Sequence, residues 1–522
     1  IINAIESGRY SKFNRMVMDE FLVKDAGHSF WRFVAEKYGA SNIVSIVNMT
    51  RVSRNIETGF QYGLGLTLDT LYEDWLAWYR AKAENVAKGR NMPSEESRIT
   101  GKRVLKRNSL NRDYSEFQVS PDGNYAAFVT NETGKYKVWL HDMYTQKIKK
   151  LYTGGYKLEE KIDYSYPILT WHPSGRILTM LLEKKGLIWL YFYDVEADEL
   201  TDQNIFGYDK VLDISYSNDG GSLLFSGVKQ GQNDIILFNI SSGNFEQVTN
   251  DVYDDLNPRF LQNSKQIIFS SNRTSDTLEW QETVDPGTLN PYYDLFIYNY
   301  GEKDPLLRRV TNTPVANETQ PQPYMEGYFG FLSDGNGIHN AYIGKLDSTV
   351  AYVDTAIHYR YFTRSFPVTN YQKNIQEMHF SPAAGYQTWV MNDKLYDKMY
   401  IRDMALPENL EPFELTNTGY MNKLEAAYEK NQSPAASLTI ISTKEKEAEI
   451  SGRTGKRKSF RNVMRNAQRE PEPREESPDA KQGTIDISNY RIGSQTEKPD
   501  TPQSPIVTDS VGRQDEFVIP KQ

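Results

Sequence analysis

Ser120-Pro121-Asp122-Gly123, with the apolar run Tyr125 to Val129 behind it, returns as His172-Pro173-Ser174-Gly175 before Ile177 to Leu181. It returns again as Ser217-Asn218-Asp219-Gly220 before Leu223 to Ser226. Positions 123, 175 and 220 put the turn glycines 52 and then 45 residues apart. Leu261-Gln262-Asn263-Ser264 before Gln266 to Ser270, Ser333-Asp334-Gly335, and Ser381-Pro382 before Thr388 to Met391 continue the series less regularly. Beyond a polar gap each turn leads to another strand: Val138 to Met143, Ile188 to Val195, Ile235 to Ile240, Leu295 to Tyr300, Ala341 to Leu346 and Met399 to Met404. A period of about 40–50 residues with several strands per unit is the mark of a β-propeller, whose blades bury their faces only against neighbours. The reading is mainly β, with six blades over residues 98–420. Asp-Gly turns supply the positive φ that tight hairpins need. Val248-Thr249-Asn250-Asp251, Val310-Thr311-Asn312-Thr313 and Leu415-Thr416-Asn417-Thr418 read as outer strands leading into the next blade. Val104-Leu105 has no other use, so Arg98 to Leu110 is expected to supply a strand to the last blade and join the ends of the ring.

Working outward, residues 1–92 read as a small α-helical segment. Phe30, Trp31, Phe33, Val34 and Tyr38 fall at helical spacing, with Ser29 as N-cap and Gly39 as stop, and Thr67 precedes a stripe of Leu68, Leu71, Trp75 and Trp78. Lys82 to Arg98 reads as a linker. Residues 421–522 hold 8 of the 23 prolines and few large apolar side chains, so a flexible, disordered tail is expected.

Composition agrees. The 522 residues include no Cys, which excludes disulfides, thiolate metal sites and cysteine nucleophiles. Aromatics are 13% with 35 Tyr against 23 Phe, a bias that suits sheets and wet cavities. A net charge of -9 argues against a nucleic-acid-binding surface.

Phe117 to Phe128, together with Ile267-Ile268-Phe269-Ser270-Ser271-Asn272-Arg273 and Tyr293 to Tyr298, resembles the repeat of TolB-type (WD40-like, PD40) propellers. Phe331 to Gly337 departs from it, with a lost Pro and a shortened hairpin. Gly27 to Phe33, Tyr38-Gly39, Gly65 to Leu71 and Trp75 resemble the C-terminal end of a gluzincin-type (peptidase MA-like) domain. That family holds zinc with an HExxH helix, absent here, so zinc is expected only if such a helix lies upstream of Ile1. Together with the proline-rich tail, these parts resemble TolB-like envelope proteins of Bacteroidetes. The resemblance implies the periplasmic side of the outer membrane, outer-membrane association through flanking regions, and an envelope protein or peptide as partner, by analogy a peptidoglycan-associated lipoprotein. The first function is a noncatalytic interaction scaffold. The alternative is a fragment of a zinc metallopeptidase. A serine peptidase is disfavoured because no G-x-S-x-G elbow occurs.

Two stretches are candidate binding sites. The insertion Ser275 to Tyr293 carries Asp276, Glu279, Trp280, Glu282 and Asp285, carboxylates around an indole that suit a basic peptide or Ca²⁺, without the spacing of a Ca²⁺ loop. Arg453 to Arg469 has seven cations and no acid; Arg457, Arg461, Arg465 and Arg469 would form one helical stripe for anionic envelope groups. No catalytic or metal-ligating residue is assigned. His28 and His172 read as structural, and Trp139, Trp171, Trp189 and Trp389 as blade core.

Overall fold

Six second strands carry the deepest apolar runs, and the computed structural model buries them on both faces because each is sandwiched between neighbouring blades. It describes residues 1–17, 23–100, 112–157, 163–261, 263–279, 289–353 and 357–432. Blade one is β1 (Asp113–Val119), β2 (Tyr125–Glu132), β3 (Lys135–Asp142) and β4 (Ile148–Gly154). Blade two is β5 (Ile168–Trp171), β6 (Ile177–Lys184), β7 (Leu187–Asp194) and β8 (Glu199–Ile205). Blade three is β9 (Lys210–Tyr216), β10 (Ser222–Lys229), β11 (Gln232–Asn239) and β12 (Phe245–Gln247). Blade four is β13 (Asp255–Leu261), β14 (Gln266–Ser271), β15 (Asp294–Tyr298) and β16 (Leu307–Arg309). Blade five is β17 (Glu318–Met325), β18 (Tyr328–Ser333), β19 (Asn340–Val353) and β20 (Ile357–Pro367). Blade six has three consecutive strands, β21 (Ile375–Ser381), β22 (Tyr386–Asp393) and β23 (Tyr396–Asp403). Every sheet is an antiparallel meander.

Each seam between blades has its own apolar core. Leu169 and Met180 pack on Val138 between blades one and two, Leu181 on Ile214 and Phe225 between two and three, and Leu224 on Phe269 between three and four. Ile268 meets Phe331 between four and five, and Ile343 meets Met391 between five and six. Phe128 and Phe117 meet Val390 and Met399 between six and one, so the ring is closed. Each such side chain contributes about 1.5–3 kcal/mol on burial.

The fourth strand of blade six comes from upstream of blade one. The Ile99 N–H donates to Met399 O (2.9 Å), the Ile401 N–H to Ser97 O (2.9 Å), and Ile99 lies 2% exposed in the closing seam. A repeated device marks this segment as an outer strand. In blade three the Val248 N–H donates to Ile235 O and the Ile235 N–H returns to Thr249 Oγ1. Val310 and Thr311 do the same with Leu295, Val368 and Thr369 with Ala341, and Ile99 and Thr100 with Met399. The expectation that residues after Arg98 close the ring therefore holds for Arg98 to Thr100; residues 101–111 lie outside the described ones. The third expected outer strand, Leu415-Thr416-Asn417-Thr418, does not pair as a strand, because the edge of β23 is already taken.

Two further expectations change. Ser333-Asp334-Gly335 leads from the second to the third strand of blade five; the hairpin equivalent to the Ser-Pro-Asp-Gly turns is Glu326-Gly327, where Gly327 takes φ 74°. Lys82 to Arg98 is not a free linker: helix runs to Ala87, and Asn91 exchanges backbone hydrogen bonds with Asn370 and Gln372 (2.8 and 3.0 Å) before the chain enters blade six.

The helices are α1 (Ile2–Glu6), α2 (Phe13–Val17), α3 (Val23–Tyr38), α4 (Ser41–Ser53), α5 (Ile56–Leu64), α6 (Leu68–Ala87) and α7 (Gly419–Gln432). Thr67 caps α6 and Gly39 ends α3, as expected; Ser29 instead lies inside α3, its hydroxyl donating to Ala26 O (2.7 Å). Phe33, Leu71 and Trp75 are fully buried in the helical core. Leu395, at the β22–β23 turn, packs into that core, Asn3 Nδ2 donates to Asn392 Oδ1 (3.0 Å), and Lys373 pairs with Glu6 (2.6 Å). The helices thus cap blades five and six on the face where the first strands begin. Among the described residues no helix is long and apolar enough to cross a membrane.

Candidate functional site: the acidic face and its blade-four loop

First strands line the axis of a propeller, and here they place polar side chains at two levels two residues apart, four and two residues before the turn in every blade but the fifth, where the longer strand makes it six and four. The level nearer the strand starts holds Glu116, Asp213, Asn257, Gln320 and Glu377; the next holds Gln118, Thr170, Ser215, Arg259, Gln322 and His379. These side chains join neighbouring first strands, which have no ladder between them. Gln118 Nε2 donates to Leu169 O (2.7 Å), Gln320 Nε2 to Gln376 O (2.9 Å), and Ser215 Oγ to Pro258 O (2.8 Å). Asp213 accepts from Arg259 (2.7 Å) and Asn257 Nδ2 (3.0 Å). At the closing seam the Glu116 N–H donates to Glu377 Oε2 (2.6 Å), while Glu116 Oε2 accepts from the Leu169 N–H (2.9 Å). Glu116, Asn257 and Gln320 sit at β-bulges with φ of 51–55°, the backbone twist that turns the carboxyl or amide toward the next blade.

Protein surrounds the glutamates of this wall. Burial pushes Glu377 up to about 7, with the charge of Asp397 adding, and pushes Glu116 well above the usual carboxylate range, with Glu377 adding. Asp113, at the same mouth, rises to about 6 through burial and Asp397. Burial lowers His379 to about 3, and Arg259 adds to this, so the imidazole is neutral. Raised carboxyl pairs also serve acid–base catalysis. Here both carboxylates are spent on backbone N–H groups of adjacent blades, which is a structural use.

The sign of the linkage is testable. Glu377 has a folded value above its unfolded one, so the stability it contributes is present at low pH and lost as pH rises from about 4.5 to 7. Glu377→Gln keeps an acceptor for the Glu116 N–H and removes the charge. It is expected to stabilise the protein by about 2 kcal/mol at pH 8 and to leave melting at pH 4 unchanged, as read by thermal melts at both values.

On the same face blade four sends out the long connection from β14 to β15. Two arginines hold its base. Arg273, whose side chain is 0% exposed, donates through Nη2 to Asp255 (2.7 and 2.8 Å) and Asp251 (3.2 Å), and through Nη1 to Thr277 O (3.5 Å). Arg309 donates to Asp276 (2.8 Å), Asp294 (3.0 Å) and Thr274 O (3.2 Å). The Leu278 N–H to Pro305 O bond (2.8 Å) and the Leu307 N–H to Asp276 O bond (2.9 Å) dock the outgoing chain on β16. Asp276 is therefore a loop anchor that remains half exposed, and Glu279 is exposed. Trp280, Glu282 and Asp285 lie outside the described residues, as do Arg457, Arg461, Arg465 and Arg469.

Asp234, Asp251 and Asp255 bring oxygens within 4.8 Å of one another, close enough to suggest a cation. The Arg273 guanidinium already stands there as their counter-charge, and we assign no metal. His28 is exposed on α3; His172 stays in its turn, Nδ1 2.8 Å from Ser174 Oγ. Trp171 and Trp389 are buried in blade seams, and Trp139 and Trp189 pack against them. Sequence reasoning missed the axial residues, although polar pairs such as Glu116/Gln118, Asn257/Arg259 and Glu377/His379 stand at one fixed offset before the turns.

No protein-family model matches the chain, and no curated protein matches it. Among solved structures it is similar to TolB from Acinetobacter baumannii, at 12% identity over 65% of this chain and 72% of that one, with a TM-score of 0.35. The putative TolB from Agrobacterium tumefaciens gives 16% identity over 56% and 91%, TM-score 0.33. The tricorn protease gives 15% over 56% and 29%, TM-score 0.35. The six-bladed propeller assignment rests on the six sheets and six seams of this chain.

Proposed function

We propose that the chain is a noncatalytic protein-interaction scaffold of the bacterial cell envelope that grips a protein or peptide on its acidic face. The observation that carries the reading is the base of the blade-four loop, pinned by two arginine networks on the same face of the ring as a group of four carboxyls, Asp113, Glu116, Glu377 and Asp397. A long loop on a rigid propeller face is where binding commonly resides. Among the described residues none of the four makes an ion pair, the Arg259 guanidinium acting on Glu116 only at longer range, so the face suits a basic segment. The finer reading is a periplasmic position at the outer membrane with a peptidoglycan-associated lipoprotein as partner; it is supported by the TolB-like repeat of the sequence. The sequence itself carries neither HExxH nor G-x-S-x-G.

Replacing Ser275 to Tyr292 by a short Gly-Ser linker in the full chain tests the scaffold reading. Capture from a solubilised envelope is expected to yield one partner with the native chain and to lose it at least tenfold with the replacement. Capture that survives unchanged removes the loop from the site.

A further inference from the structure

The seam between blades three and four holds a buried charge set that partner binding does not itself require. Asp234 lies in β11, Asp251 in the β12–β13 connection and Asp255 at the start of β13, all buried. Among the described residues only Arg273 makes an ion pair with them, and its contacts go to Asp251 and Asp255. The Asp234 carboxylate accepts instead from Gln247 Nε2 (3.2 Å), the Asp251 N–H (3.3 Å) and Thr249 Oγ1 (3.4 Å). The other groups around the set are Tyr208 ahead of β9, and Asp254, which accepts from the Tyr293 hydroxyl (3.4 Å). Asp276 and Asp294 take up the Arg309 guanidinium. Three carboxylates therefore face one cation.

We propose that this cluster is a proton-operated latch on the base of the blade-four loop. Partly protonated at mildly acidic pH, it holds residues 273–279 in place; fully ionised above neutral pH, it loosens them and weakens partner binding there. The geometry supplies the coupling. Arg273 bridges the carboxylates to Thr277 O, and Arg309 fastens the neighbouring Thr274 O, so carboxylates that spread under repulsion pull on the loop base directly. The direction of titration agrees. Burial pushes Asp234 up to about 7 and Asp251 to about 6, the charge of Asp255 adding to both, so the stabilisation is complete below about 3.8 and is lost as pH rises from there to 6–7.

The binding half of this inference rests on the scaffold reading; the local half does not. Hydrogen–deuterium exchange on the full chain at pH 5.5 and 8, corrected for intrinsic rates, reads the local half. A carboxyl at about 7 when closed and 3.8 when open predicts protection of residues 249–255 and 273–279 roughly 30-fold higher at pH 5.5. Residues 125–132 in blade one are the reference and should show no step. Asp234→Asn keeps the side-chain shape, is expected to melt at or above the native temperature at pH 8, and should flatten the step. Equal protection at both pH values overturns the latch, as does a step that survives Asp234→Asn or appears equally in residues 125–132. Capture should fall with the same pH step. Capture that is independent of pH, with the exchange step present, overturns the gating of binding; capture that survives loop replacement, with the step present, leaves the latch standing and sinks the scaffold site.

Discussion

Deletion of Ser97 to Thr100 is expected to lower the melting temperature by about 10 °C. The four residues carry the outer strand of blade six, although they precede blade one in sequence. Losing Ile99 opens the seam where Phe128, Val390 and Met399 meet, at about 2–5 kcal/mol for a buried isoleucine. The Met399 and Ile401 N–H groups and the Met399 carbonyl lose their partners, at about 1 kcal/mol each. At a melting entropy of about 2.1 cal/mol/K per residue, such a loss corresponds to roughly 10 °C for a propeller of this size. Differential scanning calorimetry checks it, and an unchanged melt would show that blade six closes without this strand. Ile99→Ala alone should give about half the shift and Thr100→Val less, because a valine keeps the strand and removes only the hydroxyl that accepts from Met399.

Arg273→Leu has the second large effect. It leaves three buried carboxylates with no counter-charge, which costs about 3–5 kcal/mol when one partner of a buried pair is removed. The loss depends on pH with a fixed sign. Without the guanidinium the carboxyls rise further, so at pH 5 they take up protons and the deficit shrinks, while at pH 8 it is largest. Melting differences between the native chain and the variant at the two pH values measure this directly. Adding Asp255→Asn to Arg273→Leu should recover part of the loss, since both members of the pair are then neutral. A variant equally destabilised at pH 5 and 8 would mean that packing of the Arg273 stem, not its charge, holds the seam.

The blades were legible because their signals are local. Ser120 with Asp122 and Gly123, or Ser217 with Asp219 and Gly220, builds a turn within five residues, and the apolar second strands follow at once. The outer strands were less legible: β12 is three exposed residues, and Leu415-Thr416-Asn417 copies the Val-Thr-Asn pattern at a place where no third strand offers an edge. The true equivalents, Val368-Thr369 and Ile99-Thr100, are recognised by their bonds to Ala341 and Met399, which stand 28 and 299 residues from the two threonines. Blade five was misplaced because Ser333-Asp334-Gly335 has turn chemistry, and turn chemistry alone does not say which pair of strands it joins. At the face, the anchoring role of Asp276 needed Arg309 from the far side of the loop, and the Glu116–Glu377 contact joins residues 261 apart. Such pairings exist only once the ring has closed.

The most direct test of the central claim asks which face the partner touches. A photo-crosslinking residue placed at Glu279, on the loop-bearing face, is compared with one at Tyr144, which is 94% exposed on the β3–β4 hairpin of the opposite face. Both are read in the full chain within the solubilised envelope. The account predicts one crosslinked protein from position 279 and none from position 144. Crosslinking from 144 alone, or from neither position, would contradict it.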